Sequence, residues 1–110
     1  MAKGTVGHST TTYLKDILPE VGKSFYDLRH AIEKAGPLDK ATFELILMSA
    51  MAVSGLELPF KNHALAAKKS GIKKEALRQA AIIPMAATAT TFAVITALHW
   101  VDEIYDDPSL

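Results

Sequence analysis

From Ala41 to Val53 the chain carries only three polar side chains, Thr42, Glu44 and Ser49, and from Gln79 to Val101 it carries no Asp, Glu, Lys or Arg. Segments this apolar must be covered by other protein or by lipid, so the remaining elements have to be arranged around them. Asp39 before the first segment can cap a helix, and Ser54-Gly55 after it breaks one. That segment reads as a helix apolar on nearly every face, either central to the subunit or shared between subunits. The second is long enough to span a bilayer. However, Pro84, the threonines at Thr88, Thr90, Thr91 and Thr96, and His99 leave it only moderately apolar, which favours a core or interface helix and no membrane association.

The other segments read as helices as well. Gly4, Gly7 and the Ser9 to Thr12 cluster suggest a flexible arm over residues 1–12 that ends in a hydroxyl cap for a short helix from Tyr13 to Leu18. Pro19 suits the first turn of the next helix, where Val21, Phe25, Leu28 and Ile32 recur at i, i+4, i+7 and i+11 and predict one buried stripe. His8 lies in the arm and His30 among polar residues, so both read as solvated. Ala35-Gly36-Pro37 ends that helix. After Gly71 a further helix places Leu77, Ala80, Ala81 and Pro84 inward, with Pro84 kinking or ending it. A last helix from Phe92 to Tyr105 has Phe92, Ile95, Leu98, Val101 and Ile104 as its apolar positions. Its acidic end, Asp102, Glu103, Asp106 and Asp107, is expected to face water or basic groups of another subunit. No strand-like alternation occurs, and the expectation is a single all-α domain of about six helices.

The 110 residues contain no cysteine, which excludes disulfides, thiolate metal sites and any dithiol redox cycle within the chain. Twelve Lys plus Arg balance twelve Asp plus Glu, so the total charge provides no field for nucleic acid. Small molecules or other protein chains are the expected partners. The first twelve residues make no secretory signal, and a cytoplasmic location is the expectation. There is no Gly-rich phosphate loop, no HExxH and no serine elbow, and no cofactor is expected. His99, Asp102 and Glu103 could approach a cation, but such groups on an exposed helix end arise readily by chance, and no metal is expected.

One stretch, SGLELPFKNHALAAKKSG from Ser54 to Gly71, carries the candidate chemistry. Phe60, His63, Ala64 and Ala67 follow i, i+3, i+4 and i+7, placing an imidazole on a stripe of small and aromatic residues. Such an imidazole can serve as a general acid or base near neutral pH if a polar partner fixes its tautomer. From spacing alone a lone histidine on such a stripe is more often a core residue satisfied by a backbone carbonyl or a hydroxyl. Glu44 and Glu57 are candidate acidic partners, neither placed beside His63 by local geometry alone.

PEVGKSFYDLRHAIEKAG, then PLDKATFELILMSAMAVSG, then GLELPFKNHALAAKKSGIKKEAL resemble, in order, the elements of the carboxymuconolactone decarboxylase and alkyl hydroperoxidase D family. The likeness runs from about Leu18 to Tyr105. Leu38-Asp39, Lys40, Thr42 and Glu44-Leu45-Ile46 match its LDPKTRELI helix, and a glycine, three spaced residues, a histidine and a small-residue helix match the family's next segment. The resemblance implies an alkyl hydroperoxidase D-like helical domain over residues 13–107 and a homo-oligomer, trimer or hexamer. In the peroxidase branch the two cysteines would fall at Leu56 and Pro59, the relay acid at Val53 and a tyrosine at Leu58. None is present, so dithiol peroxidase activity is not expected. The decarboxylase branch also lacks the cysteine pair and keeps the histidine. The resemblance thus implies a cofactor-free decarboxylase or lactone-processing enzyme with His63 transferring protons in a pocket formed by Leu56, Glu57, Phe60 and residues of the last helix. The alternative is a non-catalytic binding or scaffold protein of the same fold.

Overall fold

The computed structural model describes residues 10–88 and 91–110, so His8 and most of the expected arm lie outside the described residues. Among the described residues seven helices follow one another: α1 (Thr10–Ile17), α2 (Pro19–Glu33), α3 (Lys40–Ser54), α4 (Glu57–Lys69), α5 (Lys74–Ile82), α6 (Pro84–Thr88) and α7 (Thr91–Tyr105). No strand occurs among the described residues. The seventh helix beyond the expected six is the short α6, which begins where Pro84 interrupts α5. The first helix starts at Thr10 rather than Tyr13, so the threonines expected to precede it lie within it. No helix of the described residues is long and apolar enough to cross a membrane.

Local chemistry sets the ends of the two central helices. The Asp39 carboxylate accepts from the Thr42 amide at 2.8 Å, capping α3. Gly55 takes a left-handed conformation (φ 70°), which lets the Gly55 and Leu56 amides donate to the carbonyls of Ala52 and Met51. The chain therefore reverses within a few residues, and α4 returns along α3.

The core is built from α3, α4, α5 and α7. Met48 and Ala52, Phe60 and Ala64, Leu77 and Ala81, and Ala97, Trp100, Val101 and Ile104 form one buried cluster. Phe60 and Trp100 meet tilted, with ring centroids 5.6 Å apart. The buried face of α7 is Val94, Ala97, Trp100, Val101 and Ile104. The apolar positions expected there are turned partly outward, since Phe92 and Ile95 are exposed. Because α7 is apolar nearly all round, its periodicity did not specify which face turns inward.

Polar ties lock the ends of these helices. Lys68 Nζ donates to the carbonyls of Ile104 (3.1 Å) and Asp107 (2.9 Å), satisfying acceptors at the end of α7. Tyr105 Oη donates to the Ile72 carbonyl at 2.7 Å. The acidic end of α7 meets cations of the same subunit: Asp102 lies 3.2 Å from both Lys74 and Arg78, Asp106 lies 2.8 Å from Lys74, and Glu103 lies 2.6 Å from Lys61. The expectation of another subunit's basic groups is therefore corrected for these three residues.

The α1–α2 elbow is built differently. A Cβ on Gly22 would lie 2.6 Å from the backbone N and Cα of Lys15, so only glycine permits this approach of the two helices. Lys15 Nζ sits 4.1 Å from the centre of the Tyr26 ring. The α2 stripe predicted to be buried is largely open: Val21, Phe25, Leu28 and Ile32 are all exposed in the subunit. The stripe exists as a continuous apolar face, but α2 packs chiefly on α1, leaving that face without a cover among the described residues.

Candidate active site

A cleft of about 620 Å³ lies between the α1–α2 elbow and the α3–α4 pair. Its size is within the usual range for a small-molecule site. Phe25, Phe43, Leu47, Met51, Leu56 and Pro59 give it mainly apolar walls, and Arg29, Glu44 and His63 bring polar groups from three different helices.

Glu44 Oε2 and His63 Nδ1 are 2.7 Å apart, and Arg29 Nη2 and His63 Nε2 are 3.1 Å apart. A guanidinium has no acceptor, so Nε2 accepts from Arg29. Nδ1 then carries the ring proton and donates it to Glu44. The hydrogen bond from His63 holds the Glu44 carboxyl below the ordinary carboxylate range, outweighing the burial that pushes it up. The side chains of Glu44 and His63 are each 18% exposed, so the pair is sheltered but reachable. A carboxylate that fixes one ring nitrogen while the other points toward a cleft is the arrangement expected of a general base or acid.

The other expected site residues separate. Leu56 lies in the cleft wall. Phe60 does not, because it is fully buried in the core against Trp100 and faces away from any ligand. The i, i+3 step from Phe60 to His63 turns the imidazole to the edge of the stripe, and that displacement separates a core side chain from a site side chain. Glu57 is also absent from the wall; it is exposed and paired with Lys61 at 2.6 Å. No residue of α7 lines the cleft, correcting the expected contribution of the last helix. Val53, where the resemblance put the relay acid, lines a separate apolar groove between α3, α5 and α6, and the acid that meets His63 is Glu44.

Arg29 is the cleft residue in contact with His63 that the sequence pattern did not single out. It stands at i+4 from Phe25 and i−3 from Ile32, both of which line the cleft, so a single cation set into an apolar stripe was the available signal. His30 is exposed at the cleft rim, its ring 4.3 Å from that of Tyr26. At the end of α7 the carboxylates of Asp102 and Glu103 are engaged by Lys74, Arg78 and Lys61. No group of three potential metal ligands occurs among the described residues.

The sequence model of the Carboxymuconolactone decarboxylase family matches residues 19–103. That span takes in Arg29, Glu44 and His63. No curated protein and no solved structure matches the chain.

Proposed function

The chain belongs to the carboxymuconolactone decarboxylase family, and we propose that it is a cofactor-free decarboxylase or lactone-processing enzyme in which His63 transfers the proton. The observation that carries this reading is the Glu44–His63 pair at the wall of an apolar cleft. Loss of a carboxylate as CO2 leaves the electron pair of the broken C–C bond on the substrate, where an adjacent unsaturated carbonyl can delocalise it. A proton must then be returned to carbon. His63 Nε2 is the atom placed to carry that proton: its lone pair takes one up from solvent, Glu44, accepting from Nδ1, stabilises the imidazolium, and Nε2–H then delivers the proton to the carbon. Leu56 supplies apolar contact at the cleft wall.

Val21 and Leu28, the members of the exposed α2 stripe that do not line the cleft, support a homo-oligomer, trimer or hexamer, in which a second copy covers what the subunit leaves bare. The non-catalytic alternative draws on one observation, the engagement of Nε2 by Arg29, which occupies the atom a base would use.

The test is CO2 release from carboxymuconolactone by the wild-type chain and by His63→Gln, with helical content compared by circular dichroism. The variant is expected to keep its fold and lose roughly a hundredfold or more in rate. Equal rates in the two proteins would rule out His63 as the proton carrier, and a folded wild-type chain without turnover would favour the binding-protein reading.

A further inference from the structure

Arg29 is a half-buried guanidinium whose partner is a neutral ring nitrogen, although an ionised carboxylate would be a stronger acceptor. Two carboxylates line the same cleft, and both are engaged elsewhere: Glu44 by His63 Nδ1, and Glu33 by Lys40 at 3.7 Å. Among the described residues no carboxylate lies within ion-pair distance of Arg29. One of its five N–H donors meets His63, which leaves this planar fork with donor capacity to spare. Around it the walls are mainly apolar, with Phe25 on its own helix and Phe43, Leu47 and Met51 across the cleft on α3, while Lys15, which also lines the cleft, sits over the Tyr26 ring.

We infer that Arg29 is the anion receptor of this cleft and a latch on His63: a carboxylate on an apolar or aromatic body draws the guanidinium away from Nε2, and the same event frees the lone pair. This rests on the reading of the cleft as a ligand site. A bidentate carboxylate–guanidinium pair is stronger than a single bond to a neutral imidazole, so the exchange runs toward the ligand. The apolar body of the ligand occupies the walls that Phe25 and Phe43 form. An uncharged molecule of the same shape can fill those walls but gives Arg29 no reason to leave His63. The base is therefore exposed when the correct ligand is present and covered when it is not.

The probes are benzoate, benzamide and phenyl phosphate, titrated by calorimetry and by nitrogen-15 NMR of the His63 ring. Benzoate is expected to bind saturably to the wild-type chain and to move the Nε2 resonance, with benzamide binding more weakly and leaving that resonance in place. Arg29→Gln should weaken benzoate at least about tenfold while benzamide is unaffected, and Arg29→Lys should recover part of the loss. His63→Gln should keep its benzoate affinity. Benzoate binding through Arg29 combined with unchanged decarboxylation in His63→Gln would keep the anion receptor and remove the proton-transfer reading. Absence of saturable benzoate binding, equal affinity in Arg29→Gln, or binding without movement of the Nε2 resonance would overturn the proposal. Tighter binding of phenyl phosphate than of benzoate would overturn the carboxylate assignment.

Discussion

The two walls of the cleft differ in how they are held. The α3–α4 wall belongs to the core, where Met48, Phe60, Leu77, Val94 and Val101 are fully enclosed. The α1–α2 wall is an elbow whose two helices pack chiefly on each other and whose apolar stripe is exposed. Glu44 and His63 stand on the first wall and Arg29 on the second, so the Glu44–His63 pair is held by the packed core and the cation opposite it rides on the more loosely packed part.

The largest effect that separates the walls should come from Phe60→Ala, which opens a cavity in the enclosed core and is expected to cost about 3–5 kcal/mol in denaturant unfolding. Leu28→Ser on the outer stripe of the elbow should change the unfolding of the dilute subunit by no more than about 0.5 kcal/mol. Comparable losses in the two variants would break the comparison, because the elbow would then be as integral to the subunit as the core.

Gly22→Ala is expected to come next. The added Cβ meets the Lys15 backbone at 2.6 Å, which cannot yield as a flexible side-chain end would. Overpacking of this kind costs about 1–3 kcal/mol. Its distinguishing result is local: faster hydrogen exchange in α1 and α2, with the core helices unchanged and the His63 ring signals altered as Arg29 shifts. Uniform loss of protection across all helices would instead mean that elbow and core unfold as one unit.

A further effect concerns acid. Glu44 is held below its ordinary value of 4.5 in the folded chain, so near that pH the unfolded chain binds more protons than the folded one. The stabilisation is fully present above that pH and is lost as pH falls through the folded value. Glu44→Gln should remove this part of the acid limb and cost about 1 kcal/mol at neutral pH, since the amide oxygen can still accept from Nδ1. Unfolding midpoints measured between acid and neutral pH check this, and parallel profiles for the two proteins would show that the pair contributes no pH dependence.

Much of this fold was legible in the pattern of residues. The inward positions Leu77, Ala80, Ala81 and Pro84 of the α5–α6 region are all buried, and the helix breaks at Gly55 and Pro84 fall where those residue types demand them. Periodicity was silent on rotation in α7, where nearly every face is apolar, and on cover for α2, whose stripe is left exposed by the described residues. The site was half legible. His63 stood out as a polar residue on a small-residue stripe, but Glu44 and Arg29 reach it from other helices, and i, i+3 spacing says nothing about groups that distant in sequence. Glu44 is the one charge in its apolar run, whereas Arg29 lies among Asp27, Glu33 and Lys34 and is marked only by its helical spacing to Phe25 and Ile32. Phe60 was drawn into the site by sharing a stripe with His63, when a stripe has a centre that faces the core and an edge that does not.

The left-handed turn at Gly55 makes the interval between Glu44 and His63, 19 residues, a counted quantity. Each residue inserted into α3 after Glu44, or into α4 before His63, would rotate one member of the pair by roughly 100° and carry it off the cleft. The connection between α2 and α3 contains no such gauge, because Arg29 reaches His63 at the end of a long side chain. Length changes should therefore be tolerated between Lys34 and Asp39 and punished between Glu44 and His63. The segment works as a ruler whose two marks have to coincide.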